Sequence, residues 1–211
     1  SAAAWTGAGC KIVLRGNNGV SLAMAFNWYL RYQCYLSYDW KASGPLQYNG
    51  ALPVPTTTVR QACAAPQRFF GNYCTFGYAY PWWNWDRWQR FIDWLAMNGI
   101  NRPLMQAGQE ATWLQVWKSY GLTESQILAY FTGPGELAWH RMSNIDKLQG
   151  PLPMSYIYGQ MRLQKQILAR ARSLSMKPIL QACRACAPGH HELRADRCHP
   201  RDGAMVWQSR I

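Results

Sequence analysis

Apolar and polar positions first alternate and then fall into helical spacing along the opening of this chain. Lys11–Arg15 (K-I-V-L-R) alternates as a short strand, and G-N-N-G at Gly16–Gly19 supplies a turn. Val20, Ala23, Met24, Asn27, Trp28 and Arg31 then recur at helical spacing, which predicts a helix of about three turns. Tyr35–Trp40 alternates again, so the start reads as a small β-α-β unit. Ala42–Thr58, with its Pro, Gly and consecutive Thr residues, reads as a loop leading to a second unit. Tyr73–Tyr80 restarts the pattern as a strand. Asn84 caps the helix that follows, with Asp86 near its positive end. Trp85, Trp88, Phe91, Ile92 and Leu95 share one face of it, and Asn98-Gly99 stops it.

Ile100–Gln106 is then a strand, and strand, helix and strand with short links favour a right-handed parallel crossover. Two helices follow, Ala111–Tyr120 and Thr123–Tyr130, the second capped by Thr123. A turn at Thr132–Gly135 leads into L-A-W-H-R-M around Trp139. Ser155 caps a helix to about Ser173, and Lys177–Gln181 reads as a third buried strand. The predicted class is α/β: an α/β barrel being wound, with too few strands to close. The expected organisation is a small N-terminal α/β domain with its linker (1–60), an incomplete barrel (61–182) and a divergent tail (183–211).

Composition changes this picture in three ways. At 49% hydrophobic, the chain has enough apolar residues for a real core. The formal charge of +12 points first to polyanions such as nucleic acid, sulfated glycan or a membrane surface, with solvated Arg and Lys as the plainer account. No apolar run is long enough for a transmembrane helix, and S-A-A-A-W does not read as a signal peptide. Seven Cys is an odd number, so at least one thiol is free or pairs with another molecule. Five of the twelve Trp lie between Tyr73 and Trp94; flat rings with a polar handle suit a pocket for a sugar or a base.

Longer motifs carry a resemblance. N-Y-C-T-F-G-Y-A-Y-P-W-W-N-W-D-R-W-Q-R-F-I-D-W-L-A-M-N-G-I-N from Asn72, then G-Q-E-A-T-W, G-L-T-E-S-Q-I, F-T-G-P-G-E-L-A-W-H-R-M-S-N and G-P-L-P, in this order and spacing, closely resemble the α-N-acetylglucosaminidases. The likeness covers about Lys11–Gln181, with the N-terminal unit resembling that family's small leading domain. It implies a retaining glycoside hydrolase that removes terminal α-linked N-acetylglucosamine, lysosomal in animals, where the substrate is heparan sulfate, and exported in many bacteria. The implied fold is a (β/α)8 TIM barrel followed by a helical domain, of which this chain holds a truncated N-terminal part. Retention needs two carboxylates about 5–5.5 Å apart. In the family both are Glu on later barrel strands, so the resemblance implies no catalytic residue here.

What carries over is part of the sugar site. By resemblance, Asn72 and Cys74 match pocket positions at the end of the first barrel strand, and Trp139 matches a pocket aromatic. A buried core thiol is the alternative for Cys74. Glu110 follows the second strand and is expected to orient neighbours by hydrogen bonds rather than to do acid–base chemistry. Trp82, Trp83, Trp85 and Trp88 read mostly as packing, with one or two touching sugar. The implied partner is a glycan ending in α-N-acetylglucosamine, with no cofactor, nucleic acid or membrane.

Past Gln181 the chain reads A-C-R-A-C-A-P-G-H-H-E-L-R-A-D-R-C-H-P, holding three of the four His and three of the seven Cys. Cys183-x2-Cys186, His191 and Cys198 stand in a zinc-knuckle-like order, although the last interval is wide. A frameshift explains more. The codons GCC TGC CGG GCA TGT GCC CC encode Ala182–Ala187 and, shifted by one base, read Pro-Ala-Gly-His-Val-Pro, which restores a turn the resemblance implies. The function class that competes with the glycosidase is a non-catalytic, basic, aromatic-rich module binding sulfated glycan or nucleic acid. The basic residues are scattered and no nucleic-acid motif is present, which disfavours the nucleic-acid half of that reading.

Overall fold

Asn18 ends the opening turn by accepting a hydrogen bond from the Ser21 N–H at 2.9 Å, and helix α1 runs Gly19–Tyr32 from it. The same logic repeats at α3, Trp85–Met97, where the Asn84 side chain accepts from Arg87 N–H at 3.1 Å and Asp86 sits in the first turn. Such a cap is worth about 1 kcal/mol. Gly99, at φ 81°, supplies the left-handed residue that ends α3. The computed structural model describes residues 11–42 and 44–180. Within them, two compact units interleave along the chain. One holds the residues up to Gly71 with Asn84–Leu104 and Gln166–Pro178; the other holds Asn72–Trp83, Met105–Lys165 and the residues from Ile179.

In the first unit α1 packs on α3. Asn27 is buried and its Nδ2 donates to the Met97 carbonyl at 2.8 Å, while Arg31 reaches Asn98 Oδ1 at 3.1 Å. Val20, Tyr29, Leu30, Trp88, Ile92 and Leu95 are core residues. Trp40 lies edge-on to Phe91 at 5.1 Å, and Arg87 and Arg90 donate to the carbonyls of Trp40, Lys41, Ala42 and Gly44. Those bonds strap the irregular segment to α3. Tyr29 donates to the Pro53 carbonyl at 2.8 Å, and burial pushes its phenol up to about 12. Strand β1, Phe69–Phe70, pairs in parallel with β2, Arg102–Pro103.

Three expected strands are corrected. Lys11–Arg15 and Tyr35–Trp40 make no sheet, so the leading unit is a helix with irregular flanks rather than β-α-β. Among the described residues neither segment finds a ladder partner, and Tyr35 sits at φ 54°, which breaks the alternation at its start. Tyr73–Tyr80 is helical instead: α2 spans Thr75–Tyr78 and a 3-10 turn spans Tyr80–Trp82. The strand of this region lies just upstream as β1. Only Ile179 of the third strand forms a bridge, through Met105 N–H to its carbonyl at 3.0 Å, and Ile179 and Leu180 are exposed rather than buried. The result is an α-rich chain with a short parallel sheet.

The second unit holds α4 (Gln109–Ser119), α5 (Glu124–Tyr130), a 3-10 turn at Pro134–Glu136, α6 (Leu137–Arg141) and the first part of α7 (Met154–Ser173). Thr123 and Gln126 form a full capping box at α5. Helix α7 begins one residue before Ser155, so that serine lies in the first turn and not at the cap. Trp113, Leu114, Trp117, Ile127, Phe131, Leu152 and Ile157 form the core. Gly108, at φ 74°, admits no side chain, because a Cβ there would stand 2.7 Å from the Gln160 carbonyl oxygen.

Gln181 and the tail, with Cys183, Cys186, His191 and Cys198, lie outside the described residues. Among the described residues no group of His, Cys, Asp and Glu could hold a metal ion, and no helix is long and apolar enough to cross a membrane.

Candidate functional site

The candidate residues all belong to the second unit. Two residues after β1 the chain turns sharply, because Asn72 Oδ1 accepts from Cys74 N–H at 2.8 Å and Thr75 Oγ1 donates to the Asn72 carbonyl at 2.6 Å. That turn starts α2. Asn72 is exposed and its carboxamide nitrogen is not used in the turn; Cys74 is half-buried with a free thiol. Further along α2, Gly77 is buried and meets Trp139 of α6: a Cβ on Gly77 would stand 2.5 Å from Trp139 Cζ3 and 2.9 Å from the Gly135 carbonyl oxygen. Tyr78 lies edge-on to the Trp139 ring at 5.4 Å. Helix α2 thus has the 72–74 turn at its start and an indole against its later residues.

The same unit holds a buried ion pair. Arg141, two residues after Trp139, grips Glu110 in the first turn of α4, with Nε to Oε1 at 2.8 Å and Nη2 to Oε2 at 3.1 Å. Their side chains are 4% and 1% exposed. A fork-to-fork contact fixes both groups in direction as well as distance. Tyr73 feels Arg141: burial raises its phenol, while a hydrogen bond with Gln106 and the charge of Arg141 pull it the other way. Burial also pushes the Tyr156 phenol far up, the Glu110 charge adding to this and the Arg141 charge opposing it. The Tyr156 hydroxyl donates to the Pro81 carbonyl at 3.3 Å.

His140 stands between Trp139 and Arg141 but points into the core, ringed by Trp113, Tyr130 and Phe131 at 5.1–5.5 Å. Burial lowers its pKa; Glu110, the Ile145 backbone and Asp146 oppose that shift, and Arg141 reinforces it. The unfolded chain therefore binds the proton first, so stability is present above the ordinary histidine value of 6.5 and is lost as pH falls below it. Thermal melts are expected to show a Tm that declines as pH is lowered from 7.5 to 5.0, with a shallower decline in His140→Phe.

Residues 68–200 match the family model of the α-N-acetylglucosaminidase TIM-barrel domain, and residues 4–54 match that of the α-N-acetylglucosaminidase N-terminal domain. The chain belongs to the α-N-acetylglucosaminidase family. It is 40% identical over 176 residues to human α-N-acetylglucosaminidase, a match covering 83% of this chain and 24% of the human protein. A family 89 glycoside hydrolase from Clostridium perfringens is similar in structure, with a TM-score of 0.75 and 33% identity in its complex with GlcNAc-α-1,4-galactose. The same enzyme with PUGNAc gives a TM-score of 0.76. Each structural match covers 79% of this chain and 19% of the enzyme. The chain thus spans about a quarter of the length of the curated relative and about a fifth of the solved one. The barrel match runs to residue 200, past Gln181, where the sequence reading ends the likeness.

In this chain the structure puts Asn72 and Cys74 on one turn, Trp139 against the helix that turn begins, and Glu110 in an ion pair with Arg141. Glu110 is not brought to Asn72 or Cys74 directly. Of the aromatic block, Trp88 is fully buried and Trp83 and Trp85 are half-buried, whereas Trp82 is 66% exposed. Sequence reasoning missed Arg141, Tyr73 and Tyr156. The available signal was the H-R pair directly after Trp139, an unusual place for charge in a motif otherwise rich in aromatic and small residues.

Proposed function

We propose that this chain supplies one wall of the sugar site of a retaining α-N-acetylglucosaminidase, with Asn72, Cys74 and Trp139 facing the terminal N-acetylglucosamine and Glu110 orienting them. The observation that carries this reading is the seating of Trp139 on α2, the helix that the Asn72–Cys74 turn begins. An indole face suits the apolar face of a sugar ring, and a carboxamide supplies hydrogen bonds to hydroxyl or acetamido groups. The substrate class is a glycan ending in α-linked N-acetylglucosamine, such as heparan sulfate; the net charge of +12 favours a sulfated chain over a neutral one. The site of action is the lysosome or the cell exterior, with no nucleic-acid or membrane partner.

Retaining chemistry needs two carboxylates about 5–5.5 Å apart across the scissile bond. Glu110 is unsuited to either role: both of its oxygens are committed to Arg141 and the side chain is buried. The chain alone is therefore inactive, both catalytic Glu residues lying on barrel strands that it does not contribute. Purified chain is expected to release no product from an aryl α-N-acetylglucosaminide. Turnover above a blank that Glu110→Gln abolishes would overturn this assignment.

A further inference from the structure

The Glu110–Arg141 pair joins the first turn of α4 to α6, the helix that carries Trp139. Arg141 is two residues from Trp139 on the five-residue helix α6, so its guanidinium fixes how that helix lies against the start of α4. Tyr73 stands between Asn72 and Cys74 in sequence, and its half-buried side chain is hydrogen-bonded with Gln106 within the field of Arg141. Tyr156, in the field of both charges, ties the first turn of α7 to the Pro81 carbonyl just past α2. A buried charge in an apolar surround is held only by good geometry, and a guanidinium fork meeting a carboxylate has one good geometry. Shape filling alone would not need it; an aliphatic pair would occupy the same volume.

We infer that Arg141 and Glu110 are positioning residues that set Trp139 against α2, the helix that the 72–74 turn begins, through a directional contact rather than through bulk or charge alone. This rests on the sugar-site reading for its functional meaning, but not for its geometry. The test is 19F NMR of the 211-residue chain labelled with 5-fluorotryptophan, with the Trp139 resonance assigned by Trp139→Phe. Arg141→Lys keeps the charge and loses the fork. The double variant Glu110→Gln/Arg141→Met removes both charges and keeps the volume, so the fold survives for measurement. In both, the Trp139 resonance is expected to shift or split, while Lys118→Ala, which breaks the exposed Lys118–Glu124 pair, leaves it in place. N-acetylglucosamine titrated into the same samples is expected to bind at least about tenfold more weakly to the two site variants. An unmoved Trp139 resonance in the folded double variant overturns the positioning role, whatever the sugar does. A moved resonance with sugar binding indifferent to Trp139→Ala leaves the positioning role standing and sinks the sugar-site reading instead.

Discussion

Arg141→Met is expected to destabilise the second unit by about 3–5 kcal/mol, because it strands the Glu110 carboxylate in the core without a partner. The environment decides the size. Glu110 is 1% exposed, its two acceptor oxygens both face the guanidinium, and the surrounding α4 and α6 residues Ala111, Trp113, Leu114, Leu137 and Ala138 are apolar and buried. A typical domain has only about 5–15 kcal/mol in total, so urea titration followed by circular dichroism should show the midpoint collapse. Glu110→Gln/Arg141→Met should recover most of that loss, because neither charge is then left buried. If the double variant is as unstable as Arg141→Met, the loss comes from packing of the guanidinium stem and not from the orphaned carboxylate. The exposed Lys118–Glu124 pair gives the contrast: its loss should cost about 0–1 kcal/mol.

The same contrast between local and distant partners separates what was legible in the sequence from what was not. The Asn84 and Thr123 caps and the Gly99 stop were readable because each is satisfied within a few residues. The strands were misread because a strand of two residues is defined by its partner: Phe69–Phe70 is a strand only because Arg102–Pro103 lies beside it. Tyr73–Tyr80 carries strand-like aromatics, but the Asn72 turn and the close approach at Gly77 make it helical. Of the candidate site, Asn72, Cys74 and Trp139 were reachable only through motifs in register, and the place of Glu110 after a strand gave no sign of its ion pair with Arg141. Arg141 stood out only as a charge after Trp139; its pairing with Glu110 was not readable, since the partner is 31 positions away and neither motif announces it.

Gly77→Ala is the second large effect, and it should separate binding from stability. Gly77 is interior to α2, where alanine is the better helix former by about 1 kcal/mol. Against that, the new methyl would stand 2.5 Å from Trp139 Cζ3, 2.9 Å from the Gly135 carbonyl oxygen and 3.1 Å from Ala138 Cβ. Overpacking of this kind costs about 1–3 kcal/mol when it is absorbed by displacement. The carbonyl belongs to backbone and Ala138 is fully buried, so the indole is the group free to move. Its departure removes the edge contact with Tyr78 and lifts the ring from the helix that Asn72 and Cys74 begin. The thermal midpoint is therefore expected to change by only a few degrees, while affinity for N-acetylglucosamine falls at least about tenfold, equivalent to about 1.4 kcal/mol. The same loss in Trp139→Ala, with no further loss when the two changes are combined, would show that glycine 77 acts on sugar only by making room for that indole. Undiminished affinity in Gly77→Ala, beside a clear loss in Trp139→Ala, would mean that the ring reaches sugar from a second orientation and that its seat on α2 is not what defines the site.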